Sequence, residues 1–122
     1  MTDKEIDFKL ALAIGYTKNR VSIFDFWSNG QLMTGVHVLN DKARGDGPQQ
    51  WSHWQRFDHT APSVIWPIAE RFYAFPERRF NYACEHIGWH CWANSKGYGA
   101  HKNPATATAL AVIEHCKKET KP

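Results

Sequence analysis

This chain predicts an α+β domain: an antiparallel sheet of about four strands, in two hairpins, with about three helices packed on it. Three observations carry that reading. Ile65, Ile68, Ala69 and Phe72 recur at i, i+3, i+4 and i+7, one apolar stripe along a helix, while Glu70 and Arg71 turn the other way. Two stretches, Arg20 to Leu39 and Phe80 to Ala93, are rich in β-branched and aromatic residues and are broken by turn residues near their middles. Asn103-Pro104 pairs a capping side chain with a proline at a first helical position. The 122 residues suffice for one core and are too few for two, so residues 1–122 form a single domain.

Thr2-Asp3-Lys4-Glu5 has capping-box spacing, with a hydroxyl and a carboxylate each placed to satisfy an otherwise free amide. Ile6, Leu10 and Ala13 follow at helical spacing before Gly15, so the first helix is predicted from about Asp3 to Ile14. Arg20 to Trp27 and Gln31 to Leu39 flank Ser28-Asn29-Gly30, whose Asn-Gly pair tolerates positive φ and predicts a hairpin. Asp25 falls in phase with Val21 and Ile23, so either the strand lies at a sheet edge, the reading favoured, or Asp25 marks something functional. Asn40 to Gln50 has loop composition and is expected to be the most mobile internal stretch. Trp51 to His59 shows no clean period and reads as irregular or a short strand.

Pro62 to Phe75 offers more apolar area on one face than any other segment, so it is expected to be the helix on which the rest packs. Ser63 is its candidate cap, and Pro67 is expected to distort its first turn or delay its regular part. Phe80 to Glu85 and Trp89 to Ala93 read as a second hairpin across His86-Ile87-Gly88, with Gly88 left-handed. That register sets Cys84 opposite His90; a two-residue loop would set it opposite Cys91 instead. Asn94 to His101 reads as a glycine-containing loop. Asn103 then caps, and Pro104 opens, a last helix with Ala107, Leu110, Ala111 and Glu114 in rhythm, fraying from Lys117.

The net charge of +3 is mild, and both signs are scattered apart from Lys117, Lys118 and Lys121 near the end. This argues against a duplex nucleic-acid binder, which gathers its cations on one face. No run approaches the length of a membrane span, and Thr2 to Asp7 reads as a helix start rather than a leader. Three cysteines, an odd number, suit the reducing cytoplasm, with a single Cys84–Cys91 bridge as the alternative. Six tryptophans are the compositional oddity, since indole serves cores, interfaces and stacking sites alike.

Pro62-Ser63-x-x-Trp66-Pro67-Ile68 and Lys102-Asn103-Pro104-x-x-Ala107 occur in this order on either side of a Trp-containing strand. Together they resemble the NinX-like proteins of tailed bacteriophages and prophages, small proteins of unknown function. The likeness covers a short N-terminal helix from Glu5 and most of Pro62 to Ala111, but neither Arg20 to His59 nor the cysteines and histidines between Cys84 and Trp92. The resemblance implies a phage accessory gene expressed in an infected or lysogenic bacterium, and no chemistry. Physically, the shared phrases are helix starts: a cap, a proline and an aromatic anchor.

Aromatic and basic residues interleave twice: at Trp51, His53, Trp54, Arg56 and Phe57, and at Arg78, Arg79, Phe80 and Tyr82 with Trp89, His90 and Trp92. A nucleotide-like ligand needs a flat ring to stack on and a guanidinium or imidazole for its phosphate, and such patches supply both. The predicted ligand residues are Trp51, His53, Trp54, Arg56, Arg78, Arg79, His90 and Trp92. The function this favours is non-enzymatic, with the protein binding and sequestering a nucleotide-like host signal in counter-defence. The alternative is an inhibitor docking a host protein through the same Trp and Arg residues; a homo-oligomer suits either. A second alternative is a zinc-binding protein or metalloenzyme that draws its ligands from Cys84, His86, His90 and Cys91. In the three-residue-loop register Cys84 and His90 share a face with His86 nearby, and the fourth ligand is sought among His53, His59 and His101. No catalytic motif stands in the chain, so no catalytic residue is assigned. The Asn103-Pro104 helix start is a further place for an anion.

Overall fold

The computed structural model describes residues 1–40 and 53–120, so all of the stretch expected to be mobile except its first residue, Asn40, lies outside the described residues. Helix α1 (Asp3–Ala13) begins as predicted, with the Thr2 hydroxyl oxygen accepting from the Glu5 amide at 3.3 Å. It ends on Gly15 at φ +122°, where the Tyr16 amide donates to Ala11 at 3.1 Å and the Gly15 amide to Leu12 at 3.2 Å. These two bonds are the paired closure that a left-handed glycine permits. A 3₁₀ turn (Lys18–Arg20) leads into β1 (Val21–Ser28), β2 (Gln31–Asn40) and β3 (His53–Arg56), an antiparallel sheet in that order. Asn29 and Gly30 both have positive φ, and Ser28 pairs with Gln31 across them, so the Asn-Gly turn fixes the register. Asp25, exposed on this hairpin, accepts from the Thr34 hydroxyl at 2.6 Å, a cross-strand pair and no more.

Helix α2 (Pro62–Phe72) buries the predicted stripe of Ile65, Ile68, Ala69 and Phe72. Ser63 does not cap it: Ala61 holds that position with no side-chain bond, Pro62 opens the helix, and Pro67 lies inside it. The second sheet is β4 (Glu77–Phe80), β5 (His86–Ala93) and β6 (Gly97–His101), again antiparallel in that order. Among the described residues there are thus two three-stranded sheets where one sheet of about four strands was expected.

The second hairpin turns at Asn81 to Glu85, not at His86 to Gly88. The Asn81 side-chain oxygen accepts the Ala83 and Glu85 amides at 2.9 and 3.0 Å, a local capture typical of asparagine. Gly88 has positive φ but sits inside β5 opposite Arg79, beside a bulge, and His90 faces Glu77 rather than Cys84.

Helix α3 (Pro104–Thr120) opens on Asn103 and Pro104 as predicted and runs past the predicted fraying point at Lys117. It, rather than α2, is the centre of the molecule, touching α1, α2 and the second sheet. Thr106 to Ala109 and Ala111 to Ile113 are all buried. Their small side chains let β6 come so close that a Cβ on Gly97 would stand 2.2 Å from the Ala111 carbonyl oxygen. The stretch read as a glycine loop is therefore a strand whose glycines admit a helix.

Candidate functional site

Strand register builds a ring-bearing face on the first sheet. Val21, Ile23, Val36 and Val38 share the side that meets α1 and the core. Successive residues of a strand alternate, so Phe24, Phe26, His37, Trp54 and Arg56 share the opposite side. Trp54 meets Phe24 edge-on at 4.9 Å between centroids, Phe24 meets His37 at 5.1 Å, and His37 meets Phe26 at 5.3 Å. The Arg56 guanidinium completes the run 4.4 Å over the Phe26 ring. It has room because residue 35 is glycine: a Cβ there would stand 2.8 Å from Arg56 Nε. Asp58, at 3.9 Å, leaves donors of the guanidinium free for a further acceptor. Trp51 lies outside the described residues, as does the side chain of His53.

The second sheet divides its predicted ligand residues between two faces. Arg78 lies 5.6 Å over Trp89, whereas pleating turns Arg79 to the side of His90 and Trp92. On that side Trp92 packs on Tyr98 at 4.9 Å, and His90 stands 4.0 Å from Glu77. The eight predicted residues therefore do not form one patch. Trp54 and Arg56 join Phe24, Phe26 and His37; His90 and Trp92 join Tyr98; Arg78 stands apart on Trp89.

The predicted zinc set also fails to converge. Cys84 is exposed in the Asn81–Glu85 turn, and His86 packs on Phe80 and Trp89. Cys91 is buried, and as a neighbour of His90 on one strand it points to the opposite face. Burial pushes the Cys91 thiol up, and Glu77 adds to this against a hydrogen bond with Thr108. The disulfide alternative fails with it, for both cysteines are free. Of the partners sought elsewhere, His101 accepts the Asn103 amide, and buried His59 has both ring nitrogens engaged by Asp7 and Thr106.

His59 instead organises a polar chain that the sequence reading missed. Its ring Nδ1 stands 2.6 Å from Asp7 Oδ1, which also accepts the His59 amide at 2.7 Å, and its Nε2 stands 2.9 Å from the Thr106 hydroxyl. Carboxylate, imidazole and hydroxyl follow in the order of a hydrolytic triad. Exposure decides against that role: Asp7 is 3% exposed, His59 0% and Thr106 1%, so no substrate reaches the hydroxyl. Asp7, Asp58 and His59 also bring three ligand atoms within 4.8 Å of one another. Within the protein both ring nitrogens of His59 are already engaged, and Asp58 Oδ1 accepts from the Thr60 hydroxyl and amide.

The start of α3 is likewise occupied. Pro104 has no amide proton, Ala105 and Thr106 donate to the Asn103 side chain, and Ala107 donates to the Asn103 carbonyl. The anion site expected there has no free amide to offer. Among the described residues no helix is long and apolar enough to cross a membrane. No family model, curated protein or solved structure matches the chain.

Proposed function

We propose that this protein acts by binding rather than by catalysis, and that the ring-and-guanidinium face of the first sheet takes a nucleotide-like molecule. The observation that carries the reading is the Arg56 guanidinium lying on Phe26 over Gly35, in line with His37, Phe24 and Trp54. Bases stack on rings of this kind, and a guanidinium beside an imidazole answers a phosphate. The two phage-like phrases support the wider role of an accessory protein sequestering a host signal in a bacterial cytoplasm.

Thermal denaturation with mono-, di- and cyclic nucleotides tests this. A ligand at a hundredfold its Kd that binds only the native state raises the melting temperature by roughly 10 °C in a chain of this size. Arg56→Ala should abolish that rise. No shift with any nucleotide overturns the reading. One observation favours a host protein as partner instead: the rings spread along three strands, which suits a broad contact anchored by indole and guanidinium. Capture of one host protein by the wild type and not by Trp54→Ala, with no nucleotide response, would select it.

A further inference from the structure

Between α2, β5 and the start of α3 lies a concave groove of about 540 Å³. One wall is α2, offering Ile65 and Trp66; another is the first turn of α3, with Pro104 and Ala105; Phe75 and Trp89 complete the apolar lining. The two phrases carrying the phage resemblance meet here, though residues 69–101 separate them in the sequence. Among the described residues no charged side chain lines the groove. A site without charge rejects an ion, because desolvating one with no opposite charge to meet it is costly.

The polar groups present narrow the chemistry. The Thr60 hydroxyl donates to Asp58, the Thr108 hydroxyl donates to the Ala74 carbonyl, and the Asn103 side-chain oxygen accepts two amides. The two hydroxyl oxygens keep acceptor capacity but have no proton left to give, so the donors that remain are the Asn103 side-chain amide and the indole N–H groups of Trp66 and Trp89, none with a protein acceptor among the described residues. The walls are also pre-set. Pro62, Pro76 and Pro104 fix φ at three points of the lining, which lowers the ordering cost of binding. Trp66 stays 52% exposed on a helix whose other face is buried, so the core has no claim on it.

We propose that this groove is a ligand site, separate from the face of the first sheet, for a neutral, planar, ring-bearing small molecule carrying a hydrogen-bond acceptor. A concavity of this size, apolar with a few directed polar groups, is the usual form of a small-molecule site.

The test is titration of the full ¹⁵N-labelled chain with coumarin and quinoline, both neutral rings with an acceptor, following the indole N–H resonances of Trp66 and Trp89. Saturable shifts of both are expected. Coumarin-3-carboxylate should bind at least tenfold more weakly, and indole, which lacks an acceptor, should bind weakly as well. Ala105→Phe, which fills the groove from the first turn of α3, should abolish the shifts. Trp66→Ala, at an exposed position that the fold does not depend on, should weaken binding about tenfold, in line with the loss of one stacking ring. No saturable shift at either indole, equal binding of the carboxylate, or unchanged binding by Trp66→Ala overturns the proposal. A nucleotide response without any coumarin response would leave the sheet-face reading standing and remove this one.

Discussion

Replacing Asp7 with alanine should be among the most damaging single substitutions this chain can suffer, and its cost follows from the acceptors lost. Asp7 Oδ1 accepts both the His59 amide and the His59 ring N–H, in a place where no water replaces it. An unsatisfied buried donor costs about 1–3 kcal/mol, so two of them cost about 2–6, and measured losses from broken buried pairs centre on about 3–5 kcal/mol. Asp7→Asn keeps an oxygen of the same shape and gives up only the charge assistance, so it should cost about 1–2 kcal/mol. Thr106→Val, which removes only the partner of Nε2, should fall between them, and Thr106→Ser should recover most of the loss. Urea unfolding measures all four. At about 1–3 kcal/mol per molar for a domain this size, Asp7→Ala lowers the midpoint by about 2 M with an unchanged slope. Combining Asp7→Ala with Thr106→Val should cost less than the sum, because one imidazole links both bonds. A loss below about 1 kcal/mol for Asp7→Ala would refute the view that this chain is a strut.

Gly97→Ala should cost at least about 2 kcal/mol, since its Cβ meets helix backbone at 2.2 Å, whereas Gly35→Ala meets only the movable end of Arg56 and should spare stability while dislodging the guanidinium from Phe26. Iodoacetamide followed by mass spectrometry should label exposed Cys84 quickly and leave buried Cys91, whose thiol burial pushes up, unlabelled until the protein unfolds; comparable rates would contradict the assignment. Burial acts to raise the Asp58 carboxyl, but the hydroxyl and amide of Thr60, with Arg56, outweigh it and hold it below the ordinary value of 3.8. Its contribution is therefore complete above that value and lost as pH falls through the lower folded one, so the stability gap between wild type and Asp58→Asn should close below about pH 4 and persist at neutrality.

What the sequence revealed was whatever neighbouring residues decide among themselves. Thr2 with Glu5, Asn29 with Gly30, Asn103 with Pro104 and the stripe on α2 each need no distant partner, and each stands where it was expected. The misreadings share the opposite property. Gly97 and Gly99 look like loop residues until α3 lies against them. The Asn81 turn outcompeted Gly88 because an asparagine side chain captures two amides at once, a choice that composition does not rank. Apolar area pointed to α2 as the centre, but smallness decided it, since the alanines and threonines of α3 are approached from several sides. The ring-bearing face of the first sheet was half legible: Trp54 and Arg56 were singled out, while Phe24, Phe26 and His37 joined them only through strand register.

The buried strut explains why the groove exists at all. His59 immediately precedes Thr60, which with Pro62 lines one side of the groove; Thr106 lies between Ala105 and Thr108, which line another. The imidazole joins these segments to each other and both to α1, across 52 and 47 residues of sequence. Two apolar walls left to themselves would close, since burying Trp66 against Pro104 is favourable by area alone. A rigid polar tie fixed at 2.6 and 2.9 Å, and costly to stretch because its members are sealed from water, sets where those two walls begin. The same residues that imitate a catalytic triad are thus better understood as the frame of the groove. That assignment uses their burial, which a triad could not tolerate and a frame requires.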